Sequence, residues 1–225
     1  GDHRDLHLSL RRQRQMCIRD RTSWVTSEDS QSVTSPVTLN VSAFAPITDA
    51  RNVITPELRG GETQLLLLTL NRKVRLGGSV ISQVVEGFED ECPDIDDAKI
   101  LKIFLETVQK LCGSGRVLAL HDRSDGGLIV AVLEMAFAGR IGVDILASEN
   151  LLADLFNEEV GIVIQVPTTD VASITTDAAT ANICVAHVGR TRIDEEIFIY
   201  VNERVAFHSS RAKLEKMWAT TSYQI

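Results

Sequence analysis

The stretch "LALHDRSDGGLIVAVLEMAFAG", Leu118–Gly139, decides how this chain is read. Its opening, with Arg116 and Val117 before it, reads as a strand, and "GGLIVAVLEMAFAG" reads as a buried helix that stops at Gly139. Between them stand His121, Asp122, Arg123, Ser124 and Asp125, then Gly126 and Gly127. Glycines let a backbone come close to a ligand, and the first free N–H groups of a helix are ready anion donors. A carboxylate such as Asp122 would repel a bare phosphate there. A divalent cation between them removes the clash, and Mg²⁺ is usually held by one or two carboxylates together with substrate phosphates. Asp122 as metal ligand and Ser124 as hydroxyl donor to phosphate therefore form a coherent pair. A plainer reading stays open beside it, in which Ser124 or Asp125 caps the helix and Arg123 pairs with Asp122.

Outward from that turn, strands and helices alternate. Toward the N-terminus, "CPDIDDAKILKIFLETVQKLCGSG" predicts a helix with Ile100, Leu101, Phe104, Leu105, Val108, Leu111 and Cys112 on one stripe and Gly113 as its stop. "LGGSVISQVVEGF" predicts a shorter helix after Gly77 and Gly78, a glycine pair read chiefly as permitting tight packing, with phosphate approach as the other option. "LLLLTL", Leu65–Leu70, is a continuous apolar run expected of a strand buried on both faces. Before it come a Pro- and Gly-containing loop, a strand alternating Val37, Leu39, Val41 and Ala43 on one face, and a polar lead-in over 22–35.

Toward the C-terminus, "IGVDIL" and "EVGIVIQVP" predict strands around a short helix "NLLADLF". A helix over "TTDVASITTDAAT" and a strand "ICVAHVG" follow, then a hairpin of "IFIYV" and "VAFHS" separated by Asn202, Glu203 and Arg204, and a last helix from Arg211 to Ala219. The late antiparallel hairpin breaks a pure βαβ rhythm. The expected architecture is α+β, a mixed sheet packed with helices.

Residues 1–21, "GDHRDLHLSLRRQRQMCIRDR", have neither periodicity nor the apolar core of a signal peptide. They resemble a translated sequencing-library adaptor: Met16–Asp20 back-translates as ATG TGT ATA AGA GAC, part of a transposon end. They are expected to be non-native, with 22–225 as one domain behind its short polar lead-in. Setting them aside leaves 17 basic residues against 28 acidic, a net charge of −11. That is too acidic for nucleic acid or an anionic membrane as a default partner. No apolar run approaches the roughly 18 residues of a membrane span. Cys92, Cys112 and Cys184 remain, an odd number without C-x-x-C spacing, which argues for a reducing, cytoplasmic setting and against a zinc site.

Other polar candidates carry less. Glu158 and Glu159 in "FNEEVG" precede a strand, where adjacent side chains point to opposite faces, so one is expected to face a site while the other is solvated. His187 and His208 lack a second ligand at metal spacing and read as structural. No G-x-S-x-G, P-loop or H-E-x-x-H occurs, which speaks against nucleophilic catalysis and zinc hydrolysis.

The combination is more specific than its parts. "SVTSPVTLNVSAFAPITDARNVITPEL" (32–58), "NRKVRLGGSVISQVV" (71–85), "DIDDAKILKIFLETVQKL" (94–111), "HDRSDGGLIVAVLEMAFAGRIGVDI" (121–145), "LFNEEVGIVIQV" (155–166) and "WATTSYQI" (218–225) occur in the order of similar segments in the large, single-chain phosphoribosylformylglycinamidine synthases. The chain resembles the C-terminal domain of their second aminoimidazole-ribonucleotide-synthetase-like repeat. The resemblance implies a fragment of an ATP-dependent carbon–nitrogen ligase of purine biosynthesis with glutamine as amido donor. It implies as partners the other domains of the same parent chain: the first repeat, the ATP-binding N-terminal portions and the glutaminase. It also implies ATP or ADP with Mg²⁺, Asp122 carried over as metal ligand and Ser124 as nucleotide contact, the nucleotide held rather than turned over, and no activity from this piece alone. The segment Leu70–Ser79 is more compact than in the family, and the region from Ala179 to Cys184 departs from it. The competing readings are another member of the same ATP-binding superfamily, such as a small-molecule kinase or selenophosphate synthetase, and a non-catalytic scaffold domain.

Overall fold

A computed structural model describes residues 22–25, 32–35, 42, 46, 49, 53–85 and 91–223. Both the adaptor-like segment and the strand expected over Val37–Ala43 lie outside the described residues, Ser42 apart. The chain divides into a unit of Gly1–Arg51 and a unit of Asn52–Ile225. In the first, the segment read as a featureless lead-in contains a two-stranded antiparallel ribbon, β1 (Thr22–Val25) against β2 (Ser32–Ser35), with Trp24 opposite Val33.

The second unit is built on a seven-stranded mixed sheet: the fold is α+β, as the alternation of elements implied. Its strands are β3 (Thr63–Thr69), β4 (Ala119–Arg123), β5 (Val143–Ala147), β6 (Gly161–Pro167), β7 (Cys184–Thr191), β8 (Glu196–Val201) and β9 (Arg204–Ser210), in the order β4-β6-β3-β7-β5-β8-β9. Neighbours are antiparallel throughout except the β5/β8 pair. The leucine run makes β3 an interior strand: Leu65 and Leu67 join one core, Leu66 and Leu68 the other, and all four are buried.

Helices cover the two faces. On one lies α3 (Gly127–Gly139), whose Leu128, Val132 and Met135 are sealed against Val143, Ile145, Val163 and Ile197. Each such side chain removed from water contributes about 1.5–3 kcal/mol. Because α3 is apolar all round, it is also covered from outside, by α4 (Leu151–Phe156) and by α6 (Arg211–Tyr223), with Phe137 and Trp218 ring centroids 5.9 Å apart. The loop before β3 tucks Leu58 into the same core. On the other face α2 (Ala98–Gly113) and α5 (Val171–Thr180, after a 3₁₀ turn at Thr168–Asp170) bury Phe104, Val108, Leu111, Ile174 and Ala178. Asp97 caps α2 by accepting the Lys99 N–H at 2.7 Å.

Three local expectations are corrected. Ile100 and Leu105 are exposed rather than part of the buried stripe, because the sheet covers a narrower strip of α2 than its apolar residues span. The helix after Gly78 is only five residues, α1 (Val80–Val84). Arg204 belongs to β9, opposite Val201, so the hairpin loop has two residues. Asn202 and Glu203 both take positive φ, 47° and 64°, the twist-matched turn of a two-residue hairpin.

Candidate functional site

The HDRSDGG turn lies between β4 and α3, and β4 is an edge strand of the sheet. Strand alternation sends Leu120 and Asp122 to one face and Ala119, His121 and Arg123 to the other. Arg123 is 6% exposed and donates Nε–H to the Glu159 carbonyl at 2.7 Å; burial pushes its guanidinium down to about 10, against a smaller upward pull from Glu159. His121 is held between the Asp122 carbonyl (Nδ1, 2.7 Å) and Glu134 of α3 (Nε2, 3.1 Å).

Both plain alternatives for the turn are therefore taken elsewhere. Arg123 does not pair with Asp122. The cap of α3 is Gly126, at φ 83°, with no side-chain capping bond, so neither Ser124 nor Asp125 serves as one. Asp122 has its side chain 73% exposed, with His121 Nδ1 3.4 Å from Oδ1, and Ser124 and Asp125 are exposed. Asp122 and Ser124 stand two residues apart at the open end of the sheet with their oxygens accessible.

The glycine pair has a different job from the one read off the sequence. A Cβ on Gly127 would lie 2.7 Å from the Leu155 carbonyl oxygen and 2.8 Å from Phe156 Cα, so the glycine lets α3 start against the end of α4. The anion-donating N–H at the helix start is also engaged. Gly126 N–H donates to Glu158 Oε1 at 2.8 Å, and Val80 N–H donates to the same oxygen at 2.9 Å. One carboxylate thus ties the start of α1 to the start of α3, an acceptor placed where a helix N-terminus favours negative charge.

Glu159 was expected to be solvated if Glu158 faced a site. It is 2% exposed, because Arg75, itself buried, grips its carboxylate through Nε and Nη2, the latter at 2.8 Å. Arg75 also reaches the Asp94 carbonyl at 2.7 Å and Asp96 at 3.4 Å, and these acidic neighbours, the Glu159 hydrogen bond first, raise its pKa further above the usual arginine value. Arg75 went unread in the sequence; a basic residue between Val74 and Leu76 is its only local sign. The LGGS segment resolves as packing: Ser79 is buried and caps α1, and Gly78 takes φ 68° with Cys92 Sγ 3.2 Å from where its Cβ would be. His187 and His208 are structural as read, bonded to Gln64 Oε1 at 2.5 Å and to Glu196 at 2.6 Å, the latter ring stacked on Phe198.

A model of the AIR synthase related protein, C-terminal domain, matches residues 63–202, more than half of the chain. The chain belongs to that family. Solved structures share its fold: PurL of Thermotoga maritima complexed with ATP superposes with a TM-score of 0.60 at 11% identity, covering 73% of this chain and 27% of that one. The same enzyme complexed with FGAR gives 0.60 and 11%, covering 73% and 30%. Phosphoribosylformylglycinamidine synthase II of the same organism gives 0.60 at 10%, covering 73% and 28%. This AIR-synthase-like chain thus spans under a third of the length of those proteins. The matched residues run from β3 into the β8–β9 turn and include the whole HDRSDGG turn.

Among the described residues no group of three or more His, Cys, Asp or Glu side chains could hold a metal by itself. The turn offers two accessible carboxylates, Asp122 and Asp125, beside the Ser124 hydroxyl, while Glu158 and Glu159 are engaged with backbone donors and Arg75. That donor set fits Mg²⁺ bound jointly with phosphate oxygens and does not fit a dedicated cation cage. No helix among the described residues is long and apolar enough to cross a membrane.

Proposed function

We propose that this chain is the C-terminal domain of the second aminoimidazole-ribonucleotide-synthetase-like repeat of a phosphoribosylformylglycinamidine synthase, and that it holds a magnesium–adenine nucleotide at the β4–α3 turn. In this reading residues 22–225 are the domain and its lead-in, and residues 1–21 are translated adaptor. Asp122 binds Mg²⁺, Ser124 donates its hydroxyl to a phosphate, and ATP or ADP is retained rather than consumed. The parent enzyme is a cytosolic, glutamine-dependent carbon–nitrogen ligase of purine biosynthesis. Its other domains complete the cleft, and this piece alone has no synthase activity.

The observation that carries the reading is the accessibility of Asp122 and Ser124, with Arg123 bonded to the Glu159 carbonyl rather than to Asp122 and no side-chain capping bond from Ser124 to α3. Support for the nucleotide comes from family membership and from the fold shared with proteins crystallised with ATP and ADP. The test is retention of Mg²⁺–ADP by the parent enzyme, measured by equilibrium dialysis. Asp122→Ala is expected to weaken it more than Ser124→Ala, because losing the cation ligand leaves phosphate charge uncompensated. Equal occupancy in parent and Asp122→Ala overturns the site, and glutamine-dependent turnover by the 225-residue chain alone overturns its inactivity.

A further inference from the structure

On the α3 side of the sheet, away from Asp122 and Ser124, a cavity of about 510 Å³ opens between β3, β7, α4 and the loop after β3. Leu67, Leu128, Leu146 and Val188 form the apolar part of its wall, and three cations, Arg72, Lys73 and Arg123, line it against one carboxylate, Asp154. Several of the polar groups there are already engaged. Lys73 pairs with Asp96 at 2.8 Å, Asn157 bonds the Lys73 carbonyl and the Glu159 N–H, and Asp154 accepts the Ser148 N–H.

One cation is unengaged and a second is engaged at a single nitrogen. Arg72 is exposed and has no hydrogen bond or ion pair among the described residues. Arg123, more than nine-tenths buried, spends only Nε, on the Glu159 carbonyl, while the Glu159 carboxylate itself is held by Arg75. No fully buried side-chain nitrogen or oxygen among the described residues lacks a partner, so the terminal nitrogens of Arg123 meet the open space of the cavity. A guanidinium fixed at one nitrogen presents its remaining donors as a planar fork, the geometry that suits phosphate and carboxylate oxygens.

We propose that this cavity binds the phosphate monoester of a small organic group, with Arg123 and Arg72 on the phosphate and the Leu67, Leu128 and Val188 wall on the organic part. The volume lies in the range of small-molecule sites. A free guanidinium, Arg72, and the two remaining nitrogens of Arg123 match a dianion with three terminal oxygens better than a single carboxylate. Binding here needs no metal, because the cavity itself supplies the positive charge. It is thus separate from the nucleotide turn.

The test is a titration of the 225-residue chain with glycerol 1-phosphate at fixed ionic strength and with EDTA, followed by ¹H–¹⁵N amide shifts. Saturable shifts are expected at Ala147, Ser148 and Asn157, with affinity falling about tenfold in Arg123→Gln and several-fold in Arg72→Gln. Arg72→Gln alters an exposed, unpartnered side chain and reports even if Arg123→Gln does not fold. Asp122→Asn is expected to leave the titration unchanged, which separates this site from the nucleotide turn. Absence of saturable binding, equal affinity in Arg72→Gln, acetate binding as tightly as the phosphate ester, or loss of binding in Asp122→Asn would each overturn the proposal.

Discussion

Replacing Gly127 with alanine tests what the glycine pair is for. The residue sits at φ 72°, where an L side chain costs about 1–2 kcal/mol. Its new Cβ would also meet the backbone at the end of α4, 2.7 Å from the Leu155 oxygen, 2.7 Å from Phe156 C and 2.8 Å from Phe156 Cα, and backbone cannot rotate away as a side chain can. Forcing α4 off α3 adds an overpacking cost of about 1–3 kcal/mol. The expected loss is therefore about 2–5 kcal/mol, a large share of the 5–15 kcal/mol by which domains are usually stable.

Gly126 supplies the contrast. It sits at φ 83°, yet the atom its Cβ would strike, at 2.3 Å, is Cγ2 of Val130. Urea unfolding followed by far-ultraviolet circular dichroism should show Gly126→Ala substantially rescued by Val130→Ala, leaving only the backbone strain of about 1–2 kcal/mol. Gly127→Ala should gain nothing from Val130→Ala. Gly113→Ala, at the end of α2 with open space and ordinary φ, should be neutral or stabilising by up to about 1 kcal/mol. If Gly127→Ala stays within 1 kcal/mol of the parent while nucleotide binding falls, the glycine serves ligand approach and the packing argument is refuted.

Two further outcomes follow from local geometry. Arg192 donates to Asp194 and holds its carboxyl down to about 2 from an ordinary 3.8, so this contact stabilises the fold fully above pH 3.8 and is lost as pH falls toward 2. The urea midpoint of Asp194→Asn should accordingly converge with that of the parent between those values, and a constant gap across them would contradict the assignment. In the β8–β9 hairpin, Glu203 occupies a positive φ that glycine adopts freely, so Glu203→Gly should raise stability by about 1 kcal/mol in thermal unfolding, and a lower melting point would refute the turn geometry.

What could be read from the sequence was whatever a short window contains. Four consecutive leucines can be buried only by covering both faces of a strand, and an all-apolar helix after a glycine pair has to be sheathed, so β3 and α3 were legible. The proposed roles of Asp122 and Ser124 rest on the same kind of window, a carboxylate, a hydroxyl and a helix start within six residues of one another. Glu158 was not, since its two donors come from positions 78 and 32 residues away and no local pattern records their meeting. The Arg75–Glu159 pair, separated by 84 residues, is of the same kind. Ile100 and Leu105 misled for a geometric reason: periodicity gives the width of the apolar stripe on α2, whereas the partner surface decides how much of it is covered.

Arg123 shows how one strand end serves two faces at once. Burial pushes its guanidinium down to about 10, a desolvation cost that the fold carries at neutral pH. Its single protein contact, a hydrogen bond to the Glu159 carbonyl, needs a donor and not a charge. The nearest carboxylate is already neutralised by Arg75, which leaves one net positive charge among Arg75, Glu159 and Arg123. A neutral side chain of similar length would fill the space without that cost, as replacement of buried ions by apolar groups often shows. The positive charge is useful only to something negative that the protein itself does not supply. Asp122 on one face of β4 has the converse need, an exposed anion without a fixed cation, so adjacent residues of "HDRS" present opposite unmet charges to opposite sides of the sheet. That alternation is why the proposed metal-assisted nucleotide site and the proposed metal-free phosphate site can share four residues of chain and still be separated by single substitutions.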